Sequence, residues 1–164
     1  MAYICLLIIL VLFGMYGINK SGILRSPTEA NLIKFLQSPD TTINLSKIMN
    51  TDKYRFACVL VGYQTQVSSD LDREAIEDIN QRLKLEGYTA DNESDQAILL
   101  YSDNELQIIS INIGEITLVN SQNYDESNNY LKEKIKNCVI TSKAGLGKFS
   151  SFSGLNSVGL FVIK

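Results

Sequence analysis

The 164-residue sequence contains no histidine and no tryptophan. Without histidine the chain cannot form Ser–His or Cys–His catalytic pairs, and it lacks the commonest general base and metal ligand. Without tryptophan it lacks the largest aromatic surface on which a sugar ring could stack. Positive charge is not in excess either, since 15 lysines and arginines stand against 18 acidic residues. We therefore expect no enzyme activity, no cofactor or metal, no small-molecule substrate and no nucleic acid as a partner.

The N-terminus is a long apolar run. Residues 2–18 carry no charged or strongly polar side chain, and as a helix they would span roughly 26 Å, close to the hydrocarbon thickness of a bilayer. Tyr3 and Tyr16 lie near the two ends, where aromatic rings favour the membrane interface. This pattern predicts a transmembrane signal-anchor over 1–19, a linker over 20–25 and a soluble domain over 26–164.

Two other interpretations of the run remain open. A cleaved signal peptide normally has basic residues before the apolar run and small residues before the cleavage site. Here no lysine or arginine precedes the run, and the large residues Leu12 and Met15 lie two positions before Gly14 and Gly17. A buried core helix would show a polar stripe, which the run lacks. We therefore favour a single-pass anchor that is not cleaved.

Two features of the sequence disagree about the side of the membrane on which the domain lies. Lys20 and Arg25 follow the apolar run, and the positive-inside rule would keep the domain in the cytosol. Cys58 and Cys138 are the two cysteines outside the run, and such a pair in a small exported domain indicates a disulfide. Two buried free thiols are the alternative. We favour the disulfide and an extracytoplasmic domain, because two basic residues are a weak topological signal.

Capping signals and apolar periodicity predict the helices. Ser26-Pro27-Thr28-Glu29 has the form of a capping box with proline at the first helical position. A second helix is predicted over 70–86, with Ser69 as its cap and Gly87 after its end. A third helix is predicted over 125–137, where the apolar periodicity is weaker.

Runs of β-branched and aromatic residues predict the strands. The run 54–63 has no polar alternation at its centre, so we expect both of its faces to be covered. Helices interspersed among runs of strands favour an α+β fold, here a small, mostly antiparallel sheet with helices packed on one side. The further predicted strands are 97–101, 106–113, 116–120, 138–141 and 158–163.

Two segments are candidates for contact with a partner. The middle of the chain is rich in acidic residues, and three of them, Glu74, Glu77 and Asp78, belong to the second predicted helix. Such a face would attract a basic protein. The glycine- and serine-rich segment 142–157 is predicted to be a loop. Its apolar residues, which would contact a partner, are Phe149, Phe152 and Leu155.

Two short patterns resemble ligand-binding loops but lack residues that those loops require. Residues 144–148 (AGLGK) match half of a phosphate-binding loop, but Ser142 stands where the first glycine is needed and Phe149 where serine or threonine is needed. The acidic segment beginning at Asp91 lacks the glycine and the glutamate of a calcium loop, because Gln96 and Ser102 occupy those positions.

Together these observations predict a membrane-anchored protein-interaction module, a non-catalytic subunit of an envelope or viral-membrane assembly. One alternative is an immunity or inhibitor protein that neutralises a toxin at the membrane. An alternative of another class is an envelope hydrolase that uses carboxylates, because the chain has many acidic residues.

Overall fold

The fold is taken from a computed structural model, which describes residues 26–88, 95–111, 116–119, 135–150 and 156–163. The predicted anchor and linker lie outside these ranges, as does most of the predicted helix 125–137. Within these ranges no helix is long and apolar enough to cross a membrane.

Two α-helices and eight strands make up the described part of the chain. Short 3₁₀ turns at Leu45–Lys47 and Thr141–Lys143 follow β1 and β6, respectively. In chain order the elements are α1 (Pro27–Gln37), β1 (Thr42–Asn44), β2 (Phe56–Val61), α2 (Arg73–Leu85), β3 (Gln96–Ser102), β4 (Glu105–Ser110), β5 (Ile116–Val119), β6 (Cys138–Ile140), β7 (Ala144–Ser150) and β8 (Asn156–Val162).

The strands form two four-stranded sheets. The central sheet has the order β4-β3-β2-β6 and is antiparallel throughout. The outer sheet has the order β1-β7-β8-β5, and its β5–β8 pair is parallel. The α+β class and the mostly antiparallel pairing are therefore confirmed. The expectation of one sheet was wrong, because the apolar residues of β2 need a covering layer on each side.

Strand β2 is buried along its whole length, as its uninterrupted apolar sequence predicted. Ala57, Val59 and Val61 belong to the core that lies between the two sheets. The alternate residues belong to a second core, formed between the central sheet and α2. Because successive side chains of a strand point to opposite faces, one strand supplies both cores.

The two helices pack in different places, so the prediction that they share one side was wrong. Leu32 and Phe35 of α1 enter the core between the sheets, whereas Ile79 and Leu83 of α2 enter the second core. The capping box at the start of α1 is confirmed, with the Ser26 side chain accepting from the Glu29 N–H and the Glu29 side chain accepting from the Ser26 N–H.

Helix α2 begins later than predicted. Its N-cap is Asp72, whose carboxylate accepts from the N–H of Ala75, and not Ser69. The Ser69 hydroxyl instead accepts from the N–H of Leu71 in the preceding turn. Gly87 follows the helix with a φ of 65°, which is the left-handed conformation expected of a glycine after a helix end.

The disulfide between Cys58 and Cys138 is present, as predicted. The two residues lie directly opposite each other on β2 and β6. The neighbouring pairs are hydrogen-bonded, since Val59 N–H donates to the Asn137 carbonyl and Thr141 N–H to the Arg55 carbonyl. The cysteines therefore occupy a non-hydrogen-bonded position, where facing side chains are closest. Both are at least 96 % buried beneath α2.

The region after residue 134 departs from the predictions. The last three residues of the predicted helix, 135–137, are not helical, and Lys136 forms a bridge with Leu160. Residues 144–150 and 156–157 of the segment predicted to be a loop instead belong to strands β7 and β8. Glycine is required in β7 by close packing: a Cβ at Gly145 would lie 2.6 Å from Cγ1 of Ile163.

Gln96 joins the two sheets through its buried side chain. Its amide nitrogen donates to the Ile116 carbonyl at 2.8 Å, and its amide oxygen accepts from the Leu118 N–H at 2.6 Å. A neighbouring parallel strand would bond to β5 at the same pair of groups. The side chain of Gln96 therefore takes the place of a strand along the edge of β5.

Replacing Gln96 with leucine should leave the two β5 backbone groups buried without partners. We expect the free energy of unfolding to fall by about 2 kcal/mol, measured by urea denaturation. Gln81→Leu is the matched control, because Gln81 is exposed on α2. Equal destabilisation by the two substitutions would contradict the role given to Gln96.

Candidate interaction surface

An open cleft of about 450 Å³ lies where β2 begins and β6 ends. Its floor is apolar and its rim carries charged and hydroxyl groups, which is the composition of many binding sites. We refer to it as the cleft, and it is lined by Thr51, Asp52, Tyr54, Arg55, Phe56, Ile140, Thr141 and Ser142.

The apolar floor belongs to a row of side chains that crosses the central sheet on its α2 face. Strand register places Ile140, Phe56, Tyr101 and Leu106 side by side in that order. The last three are buried, whereas Ile140 is 45 % exposed. Ile140 is therefore the uncovered end of a row whose other members are covered.

Two guanidinium groups cover the middle of this row. The Arg55 guanidinium carbon lies 5.1 Å from the Phe56 ring centre, and that of Arg82 lies 5.5 Å from the Tyr101 ring centre. Guanidinium groups at this distance from aromatic rings are attracted to the ring face. We call these two arginines and their carboxylate partners, Asp72, Asp78 and Asp103, the arginine cluster.

Arg55 links three parts of the chain. Its Nη1 donates to Asp103 in the β3–β4 turn at 2.6 Å, and its Nη2 donates to Asp72 at 3.1 Å. Asp72 also caps α2. The start of β2, the start of α2 and the β3–β4 turn are thus held together at one edge of the cleft. Both ion pairs of Arg55 are well exposed and therefore contribute little to stability. Their role is to fix the relative positions of these three segments.

Arg82 and Tyr101 share one carboxylate. Both donate to Asp78 Oδ2 at 2.8 Å, and Arg82 also donates to the Asp103 carbonyl at 2.7 Å. The hydrogen bond from Arg82 holds the pKa of Asp78 below its usual value, assisted by that from Tyr101. Burial, together with the hydrogen bond to Asp78, raises the pKa of Tyr101 to about 12.

A further ion pair, between Lys53 and Glu105, lies near the cleft. Lys53 Nζ contacts Glu105 Oε2 at 2.5 Å, and the Tyr54 hydroxyl lies 3.0 Å from Glu105 Oε1. The hydrogen bond from Lys53 lowers the pKa of Glu105. Asp78 and Glu105 are thus both stabilised as carboxylates, the opposite of the raised pKa that a carboxylic acid needs to donate a proton near neutral pH.

Asp52 differs from the other carboxylates around the cleft. It is exposed at the rim and forms no ion pair with any described basic residue. Thr51 and Asp52 also line a shallower depression that runs toward α1. Asp52 and Arg55 are the charged residues that line the cleft, and the two carboxylates paired with Arg55, Asp72 and Asp103, lie beside it.

The acidic side chains predicted as a contact face do not form an unpaired acidic surface. Glu77 pairs with Arg73 at 2.8 Å and Asp78 pairs with Arg82, each one helical turn away. Glu74 is exposed and has no ion pair with a described residue. Helix α2 carries three basic and three acidic residues, so its charges cancel.

The apolar contact residues predicted in the segment 142–157 are placed only in part. Phe149 lies half-buried in β7, with its Cε2 3.0 Å from the position that a Cβ on Gly159 would occupy. Phe152 and Leu155 lie outside the described residues. Ser142, at the start of the segment, lines the cleft.

The half-pattern for phosphate binding has a structural explanation. Residues 144–148 lie in β7, and the Lys148 ammonium donates to the carbonyls of Leu36 at 3.0 Å and Ser38 at 2.6 Å. These carbonyls lie at the C-terminal end of α1, where the helix dipole favours a cation. Lys148 therefore caps α1. Among the described residues, no group of three acidic or cysteine side chains is placed to hold a metal ion.

Sequence reasoning missed Arg55, Asp52 and Ile140. For Ile140 a signal existed, because it is two residues after Cys138. Once the disulfide fixes the register of β6 against β2, Ile140 must lie opposite Phe56. For Arg55 none existed, because its partners are 17 and 48 residues away.

No protein-family model, curated protein or solved structure matches this chain. A function for this chain must therefore be inferred from the geometry of its described residues.

The raised pKa of the Tyr101 hydroxyl allows a test of its burial and of its hydrogen bond to Asp78. With a folded pKa near 12, Tyr101 favours the folded state below pH 10, and this contribution is lost as the pH rises toward 12. In a spectrophotometric titration of tyrosinate, we expect Tyr101→Phe to remove amplitude from the highest-pH step. Tyr63→Phe, which changes an exposed tyrosine, should leave that step intact; loss of the same step in both variants would contradict the assignment.

Proposed function

We propose that this protein is a membrane-anchored, non-catalytic interaction module of an envelope or viral-membrane assembly. Residues 2–18 anchor it in the bilayer, and the α+β domain lies on the extracytoplasmic side, where it binds a protein partner. The observation that carries the proposal is the buried disulfide between Cys58 and Cys138.

The disulfide supports the location because such bonds form and persist in oxidising compartments. It joins two strands that are 80 residues apart in sequence. On the chain-entropy model, closing a loop of that length stabilises the folded state by about 4 kcal/mol. A contribution of that size is a large part of the stability of a small domain, so the fold is suited to a compartment in which the bond persists.

The cleft supports the interaction role. Interfaces gain most of their binding energy from a few apolar anchors surrounded by polar groups. Ile140 offers an exposed apolar surface at the end of a buried row, and Asp52 offers a carboxylate that pairs with no basic side chain of the described residues. The partner that fits is a protein segment with an apolar side chain beside a basic one. The arginine cluster holds the elements around the cleft in place before the partner arrives.

The immunity or inhibitor role is a second candidate, favoured by the carboxylates at and beside the cleft, Asp52, Asp72 and Asp103, which suit a basic toxin. It predicts tight one-to-one binding and protection of the producing cell, whereas a subunit role predicts loss of a complex when the protein is deleted. The carboxylate hydrolase is the candidate of another class, and the lowered pKa values of Asp78 and Glu105 make these two residues poorly suited to the role of its general acid.

The location can be tested with thiol reagents. Without prior reduction, a maleimide reagent applied to the denatured full-length chain should label Cys5 but not Cys58 or Cys138, and after reduction it should label all three. For orientation, Leu85→Cys places a thiol at a site that is 85 % exposed, and an impermeant maleimide should label it in intact cells. Labelling that requires permeabilised cells would place the domain in the cytosol and contradict the proposal.

The partner contact can be tested by photocrosslinking. A photoreactive phenylalanine analogue at position 140 should give one discrete adduct in the producing cells, and the same analogue at Leu85 should not. Because Asp52 would face a basic side chain, Asp52→Lys should abolish the adduct, while Glu74→Lys, an equal change of charge on α2, should not. An adduct that survives Asp52→Lys but is lost with Glu74→Lys would move the contact to the helix.

A further inference from the structure

Strand β4 is an edge strand of the central sheet, and no described strand pairs with its outer side. The Ile111 N–H donates to the Gln96 carbonyl, so the residues of β4 that bond to β3 are those at odd positions. The backbone N–H and C=O groups of Leu106, Ile108 and Ser110 therefore point away from β3. Among the described residues, no backbone group bonds to Leu106 or Ile108 on that side.

Both faces of β4 are incompletely covered at this edge. Ile108 packs against the core beneath α2 and Ile109 against the core between the sheets, and each is only partly buried. From Leu106 to Ile111 the sequence is LQIISI, with neither a charge nor a proline. Natural edge strands usually carry a lysine, a proline or a bulge that prevents pairing with another strand.

The other edges of the two sheets are different. The edge of β5 is occupied by the Gln96 side chain, and β1 and β6 are three residues long. Strand β4 has six residues, enough for a stable pairing. Within the described ranges, β4 is thus the long edge that the chain itself leaves open.

We propose that β4 pairs antiparallel with β4 of a second copy of this chain, about a two-fold axis at Ile108. In this register Ile108 faces Ile108 and Leu106 faces Ser110, so the outward backbone groups of one strand meet those of the other. The two central sheets become one continuous sheet, and the partly exposed isoleucines of each copy are covered by the other.

A second copy fits better than a charged partner strand because the paired segment is neutral. The charged residue of β4, Glu105, is held by Lys53 and Tyr54 within its own subunit. Two chains of net charge −3 can therefore approach at this edge without like charges facing each other. This inference concerns a surface separate from the cleft and does not depend on the proposed partner.

The test is the mass of the full-length chain in detergent, measured by light scattering. We expect a dimer for the natural sequence and a monomer for Ser110→Pro, which removes an outward N–H and the side-chain hydrogen bond to Tyr88 but no bond to β3. Leu85→Lys, at an exposed site on α2, should remain a dimer. A monomeric natural chain, or a Ser110→Pro variant that remains dimeric, would overturn the proposal.

A charge-swap experiment tests the register. Because Ile108 faces its own copy, Ile108→Lys and Ile108→Glu should each abolish the dimer by placing like charges opposite each other. Mixing the two variants should restore it as a heterodimer. Restoration also shows that both variants fold, and failure to restore the dimer, when circular dichroism shows both variants folded, would exclude this register.

Discussion

The complete burial of β2 is the constraint on which the rest of the structure depends. A strand that is apolar at every position must be covered on both faces, and neither helix alone could cover both. The outer sheet covers one face and α2 covers the other. The disulfide adds a covalent link between this strand and β6, and the arginine cluster forms at the point where β2 emerges from between its covering layers.

Local signals were sufficient for the features that depend on neighbouring residues. The capping box at Ser26, the glycine after α2 and the buried character of β2 are all visible within a few residues of sequence. The disulfide was predictable because Cys58 and Cys138 are the two cysteines outside the apolar run, and such a pair in a small exported domain indicates a disulfide. The α+β class followed from the order of elements, but the division into two sheets did not, since it depends on which strands pair.

Glycine was the residue that misled the sequence interpretation. In the segment 142–157, glycine and serine predicted a loop, yet Gly145 lies in a strand where Ile163 and Phe161 leave no room for a Cβ. The contacts that leave no room for a Cβ come from Phe161 in β8 and from Ile163 just after it, both outside the local sequence of β7. The acidic residues of the middle segment predicted a face that attracts a basic partner, and basic side chains of α2 and Arg55, just before β2, form ion pairs with four of these acids.

The strand edges and helix ends of this fold differ in how completely they are covered, and this difference bears on the proposed role in binding. One strand edge is covered by the buried amide of Gln96, and one helix end is capped by Lys148. Within the described ranges, by contrast, the outer edge of β4 has no partner strand and Ile140, at the opposite edge of the same sheet, is partly exposed. Exposed apolar groups and unpaired backbone both favour association. The two proposed contacts, with a second copy at β4 and with another protein at Ile140, would therefore lie at opposite edges of one sheet.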